Sequence, residues 1–200
     1  VRRSGWARPV ALLLVSWALL TWQLGERSLW FDEYLALQMS RGSAAQVVAA
    51  AAADVHPPLY FLGLGAWTAA AGSSDYALRW FSAAAGLLAV ALMAALARQV
   101  LGRRAGLPAA LLLALTPAFV EFSRMARYYA LVVALALLCT LLLVRAARRG
   151  GAWAWLGYAA AGLALISTFY PAAVLFAAHG LWIVWLVEWD GELHPALVAA

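Results

Sequence analysis

Leu59-Tyr60-Phe61-Leu62-Gly63-Leu64-Gly65-Ala66-Trp67-Thr68-Ala69-Ala70-Ala71 follows Asp54-Val55-His56-Pro57-Pro58, and whether this apolar run crosses a bilayer decides the topology of the chain. A spanning helix needs about 20 apolar residues, so a run of this length is marginal. Charge settles the reading. Nine of the fourteen arginines fall in three clusters: Arg2/Arg3/Arg8, Arg98/Arg103/Arg104 and Arg145/Arg148/Arg149. Basic clusters mark the cytoplasmic ends of spans. If Leu59–Ala71 crossed, the second cluster would face outward. If it lies at the interface or re-enters, all three fall inside. The second reading is adopted.

The bulk numbers agree with a membrane protein. The 200 residues are 66% hydrophobic, and the mean hydropathy is +0.84. A soluble domain does not reach such values. The chain has no lysine, and its formal charge of +5 comes from arginine. Most of that charge sits in the expected cytoplasmic turns, so a pI near 9.9 reflects anchoring beside lipid rather than nucleic-acid binding. The single cysteine, Cys139, excludes an internal disulfide and a cysteine-cluster metal site. P-loop, GxGxxG and zinc signatures are absent.

Working outward, the expected fold class is all-α: a polytopic transmembrane protein with juxtamembrane helices in its first outer loop. Spans are expected at 9–24, 76–97, 107–120, 130–144, 153–169 and 172–187, with the outer loop at 25–75. One helix is expected over Tyr34–Ala53. Arg2 and Arg3 before Pro9–Leu24 also fit a signal peptide; a retained first span is preferred because no clean cleavage site follows. His194-Pro195 opens a further segment, so the sequence reads as the N-terminal part of something longer.

Polar residues then gather on the outer side. Asp32 and Glu33 follow Trp30 and Phe31, two interfacial anchors. Neighbours on a helix point about 100° apart, so one carboxylate can face a cavity while the other holds structure. A carboxylate at that boundary is suited to act as a base; the plain alternative is an acidic loop that balances arginines. His56-Pro57-Pro58 is rigid. His56 can bind phosphate or a sugar hydroxyl or shuttle a proton, or it is incidental to a helix start. Ser123-Arg124-Met125-Ala126-Arg127-Tyr128-Tyr129 is the strongest local signal. Arg124 and Arg127, three apart, share a face if helical, and guanidinium forks suit phosphate. Anchoring to anionic headgroups is the rival explanation. Tyr128 and Tyr129 can stack on a sugar or hold lipid. Arg79 adds a third outer guanidinium for a carboxylate or phosphate. Glu121 is placed to neutralise Arg124. Tyr170 is a weaker candidate to line the same cavity, and His179 reads as a packing or interhelical hydrogen-bonding residue.

Together these pieces resemble the membrane glycosyltransferases of the C-type fold, in particular the bacterial branch related to protein mannosyltransferases and to the aminoarabinose transferase of lipid A. The likeness runs through Leu29-Trp30-Phe31-Asp32-Glu33, Asp54-Val55-His56-Pro57-Pro58-Leu59-Tyr60, Tyr76-Ala77-Leu78-Arg79, Leu101–Leu107 and Pro117–Leu131. It implies a multi-pass protein of the bacterial cytoplasmic membrane, with its N-terminus inside, that moves a sugar from a polyprenyl-phosphate donor to an acceptor glycan, lipid or protein at the extracytoplasmic face, with inversion. Asp32 matches the residue that deprotonates the acceptor, with Glu33 beside it. His56, Arg79, Arg124 and Arg127 would surround the donor phosphate, and Tyr60, Tyr128, Tyr129 and Tyr170 would contact substrate. Relatives often carry an acidic residue where this chain has Met125. No cofactor is required by these motifs, and a divalent metal is not indicated. The competing function classes are a transporter or flippase-like protein for a lipid-linked substrate, which needs no base, and a non-catalytic subunit that acts with a partner if the chain is complete.

Overall fold

A computed structural model describes residues 7–190, with the side chains of 149 and 186–190 left outside that description. Arg2, Arg3 and His194-Pro195 lie outside the described residues. Ten α-helices form, with no strand among the described residues: α1 Ala7–Thr21, α2 Phe31–Met39, α3 Ala44–Ala53, α4 Leu59–Ala71, α5 Asp75–Val100, α6 Gly106–Leu115, α7 Pro117–Ser123, α8 Tyr129–Arg149, α9 Ala152–Ile166 and α10 Ala173–Asp190. A short 3₁₀ turn, Tyr170–Ala172, precedes α10. Two helices, α5 and α8, are each long and apolar enough to cross a membrane, and the bent pair α6–α7 meets the same test only when its two helices are counted as one span. α1 and α9, at 15 residues each, are shorter.

Two expectations are corrected. The helix expected over Tyr34–Ala53 is two helices, α2 and α3. Gly42 between them takes φ +101°, which a side chain would strain. Ser43 then caps α3: its Oγ accepts the Gln46 N–H, and the Gln46 side chain accepts the Ser43 N–H at 2.8 Å. This capping box was present in the sequence as Ser43-Ala-Ala-Gln46. Likewise 107–120 is not one straight helix but bends by 69° between α6 and α7. Pro117 cannot donate to the α6 ladder and forces Thr116 into an extended conformation (φ −67°, ψ 116°).

α5 is the central post, packed against α8, α6, α1 and α4. α4 leans on its N-terminal half through Trp67, which stacks on Trp80 at 4.5 Å and donates from Nε1 to the Ala77 carbonyl at 2.8 Å. Tyr60, Phe61 and Leu64 of α4 are fully buried with residues of α2, α3 and the 126–128 turn. Gly65 passes so close to the Ser40 carbonyl that a side chain would collide with it. Leu59 donates to the Ser167 carbonyl at 2.9 Å, which ties the start of α4 to the end of α9. The segment that follows α1 meets Arg79 near the start of α5, so Arg8 lies towards the other end of α5. Arg98 and Arg103 share that end with Arg145, whose Nε reaches the Gln99 side chain.

α10 is held by a buried histidine. Thr140 of α8 donates its hydroxyl to Ala136 at 2.9 Å, so its oxygen accepts from His179 Nε2–H at 3.1 Å. His179 Nδ1 then accepts from the Tyr158 hydroxyl of α9, also at 3.1 Å. Hydrogen bonds between helices in lipid are worth about 1 kcal/mol. His179→Leu should therefore lower the unfolding midpoint in detergent through loss of α10 docking, while Tyr158→Phe lowers it less. Equal midpoints for His179→Leu and the parent would show that the clamp carries no load.

Candidate functional site

The site is built on a buried ion pair. Glu33 is 1% and Arg79 7% exposed. Arg79 Nε and Nη2 fork onto the Glu33 carboxylate at 2.8 and 2.7 Å. Its remaining donors go to the carbonyls of Leu24 (3.0 Å), Arg27 (2.6 Å) and Ser28 (3.1 Å). All five guanidinium N–H groups are thus spent. Glu33 in turn accepts the N–H of Ala126 at 2.8 Å and of Trp30 at 3.3 Å. Burial alone would raise the Glu33 pKa, but the Arg79 hydrogen bonds, the Ala126 N–H and the Arg79 charge outweigh it and hold the carboxyl below its usual value. Glu33 is therefore engaged through both carboxylate oxygens and Arg79 through all of its donors, which is the expected alternative in which one acid holds structure and Arg79 pairs with a carboxylate. The pair joins α2, the 24–28 segment, α5 and the 125–127 turn at one point.

A second chain of bonds fixes that turn. Tyr60 donates its hydroxyl to Ser82 Oγ at 2.9 Å, and Ser82 donates to the Arg127 carbonyl at 2.9 Å. Tyr60 is fully buried, so its expected contact with substrate is replaced by support of the turn. Ser82 was not foreseen. Its signal was a lone hydroxyl three residues after Arg79, on the same face of α5.

Arg124 and Arg127 do not share a helix face, because α7 ends at Ser123 and the chain turns between them. Arg124 donates from Nη2 to the Trp22 carbonyl. Arg127 goes the other way, toward α2. It is 6% exposed, its Nη1 makes one long bond of 3.4 Å to the Asp32 carbonyl, and its Nε has no partner among the described residues. No described carboxylate pairs with it. Its guanidinium lies 5.0 Å from the centre of the Tyr128 ring. An unpaired buried cation is costly, and an anion would relieve that cost.

Around Arg127 stand the other candidates. Asp32, next to Glu33 but turned away from it, is half-buried and makes no side-chain hydrogen bond or ion pair among the described residues. His56 follows Val55, whose φ of +55° is strained for a β-branched residue. Its Nδ1 lies 2.7 Å from the Asp54 carbonyl and 3.1 Å from the Asp54 carboxylate. Both partners accept, so Nδ1 carries the proton and Nε2 is left for a ligand. The His56 ring packs 5.8 Å from Tyr128 and 6.0 Å from Phe61. Tyr128 is buried and stacks on Phe169 at 5.5 Å; burial raises its hydroxyl pKa. Tyr129 is half-buried against Phe122. Tyr170 is exposed and reaches the cluster through its neighbour Phe169. Asp32, His56, Arg127 and Tyr128 are thus brought together. Arg124 and Glu121 are not; they line a cleft of their own with Glu33 and Arg79, and although the Arg124 N–H donates to the Glu121 carbonyl at 3.1 Å, no ion pair joins their side chains.

The described residues form an all-helical bundle whose longest helices are apolar enough to cross a membrane. The chain belongs to the dolichyl-phosphate-mannose-protein mannosyltransferase family, whose model matches residues 55–199. It is accordingly a membrane protein of the C-type glycosyltransferase fold. His56, Arg79, Arg124 and Arg127 fall within the matched region, and Asp32 and Glu33 precede it. No curated protein and no solved structure gives a significant match.

Proposed function

We propose that the protein is an inverting glycosyltransferase that moves a sugar from a polyprenyl-phosphate donor to an acceptor hydroxyl, at the extracytoplasmic face of a bacterial cytoplasmic membrane. The observation that carries this reading is the buried guanidinium of Arg127, which no described carboxylate pairs and which reaches the backbone carbonyl of Asp32, a residue whose own carboxylate is unengaged among the described residues. In the proposed step Asp32 takes the acceptor proton as the acceptor oxygen attacks the anomeric carbon. The bond from that carbon to the donor phosphate breaks on the opposite face. The polyprenyl phosphate leaves with the electron pair, and Arg127 stabilises its growing charge. His56 Nε2 contacts the phosphate or a sugar hydroxyl, and Tyr128 borders the sugar. Reading the arginine-rich end of the bundle as cytoplasmic supports an extracytoplasmic site at the opposite end.

Membrane vesicles that contain the protein, supplied with decaprenyl-phosphate-mannose and a cell-envelope extract as the source of acceptor hydroxyls, should release decaprenyl phosphate above the level of empty vesicles given the same mixture. Loss of one preorganised donor to a developing anion typically costs about 100- to 1,000-fold. Arg127→Gln should slow release by about that factor. Movement of the intact donor across the bilayer, with no release, would favour the transporter reading instead.

A further inference from the structure

A cleft of about 780 Å³ opens on the other side of the Glu33–Arg79 pair, between the end of α1 and the α6–α7 bend. It exists because α7 turns away by 69° at Thr116–Pro117. Asp32, His56 and Arg127 do not line it. The ion pair forms part of its wall, and Glu33 also accepts the N–H of Ala126 in the middle of the 125–127 turn. Leu19, Leu115 and Val120 give the cleft an apolar wall, and Leu115 is 57% exposed. Besides the mutually paired Glu33 and Arg79, four charged side chains line it: Glu26, Arg27, Glu121 and Arg124. No ion pair joins any of them among the described residues, and only Arg124 spends a side-chain donor, on the Trp22 carbonyl.

The volume suits a lipid headgroup with the first part of its chains. The charges select which one. Two carboxylates oppose a purely anionic head, and two guanidiniums oppose a purely cationic one. A head with a phosphodiester and a primary ammonium satisfies both sets, and the ammonium supplies N–H donors that a quaternary amine lacks. We propose that this cleft binds a zwitterionic phospholipid of the phosphatidylethanolamine type, with its phosphate on Arg27 and Arg124, its ammonium on Glu26 and Glu121, and its acyl chains along Leu19, Leu115 and Val120. The inference stands whether or not sugar transfer occurs at Asp32. Arg27 also lends its carbonyl to Arg79, so lipid held there would steady the 24–28 segment against the ion-pair hub.

The test is retention of lipid by the purified full chain, read by native mass spectrometry after exposure to phosphatidylethanolamine, phosphatidylcholine or phosphatidylglycerol. Two partly exposed charge pairs correspond to roughly five- to tenfold preference for phosphatidylethanolamine over phosphatidylglycerol. The double variant Glu26→Gln/Glu121→Gln should lose that preference while still retaining phosphatidylglycerol, and Arg27→Gln should weaken retention of both. These side chains are exposed, and circular dichroism of each variant checks that the helices persist. Equal retention of the two lipids by the parent would overturn the proposal. So would a preference that survives the double variant.

Discussion

Arg79→Leu is expected to destabilise the protein by about 3–5 kcal/mol, the cost of leaving one partner of a buried ion pair alone. Leucine would strand the Glu33 carboxylate, 1% exposed, and release the carbonyls of Leu24, Arg27 and Ser28. Arg79→Lys should rescue little, because an ammonium cannot fork onto a carboxylate and reach three carbonyls as well. The measurement is the unfolding midpoint in detergent. Its pH dependence adds a second readout. The Glu33 carboxyl is held below its usual pKa in the folded protein. The stability it contributes is therefore complete above the unfolded carboxylate pKa and is lost as pH falls through the lower folded value. In Arg79→Leu that acid-sensitive contribution should shrink sharply. A variant as stable as the parent, with an unchanged acid profile, would show that the pair is not the hub.

Asp32→Asn is expected to lower turnover by about 100- to 10,000-fold, the usual contribution of a positioned base. Asparagine keeps the size of the side chain and leaves the backbone carbonyl that meets Arg127. Donor affinity should therefore stay within about twofold, because the loss falls on the chemical step alone. Glu33→Gln is the informative contrast. Glu33 is one position away but saturated by Arg79, Ala126 and Trp30. Its replacement should reduce the yield of folded protein far more than the turnover of each folded molecule. If Asp32→Asn kept parental turnover, the base would have to be another group.

Much of the fold was legible because its signals are local. Pro57-Pro58 sets the start of α4, and the outcome, Leu59–Ala71, coincides with the apolar run. The breaks at Gly42 and Pro117 were equally local, but each stood in a stretch whose hydrophobicity argued for continuity. The site was legible only in part. Adjacency singled out Asp32 and Glu33, but nothing in the sequence could say which one Arg79 would saturate, since that partner lies 46 positions away. Helical spacing joined Arg124 to Arg127, and the end of α7 at Ser123 sent them apart. Tyr60 was expected to contact substrate, and only packing against α5 revealed it as the donor that holds Ser82 and the turn.

The account stands most directly on the claim that Asp32 and Arg127 serve one reaction. Decaprenyl phosphate release from decaprenyl-phosphate-mannose should be measured for the parent, Asp32→Asn, Arg127→Gln and the double variant. Groups that act as a unit in one transition state are strongly non-additive. The account predicts that both single variants are severely slowed and that the double variant is little worse than the slower of them. Losses that multiply in the double variant, or a single variant that turns over like the parent, would contradict it.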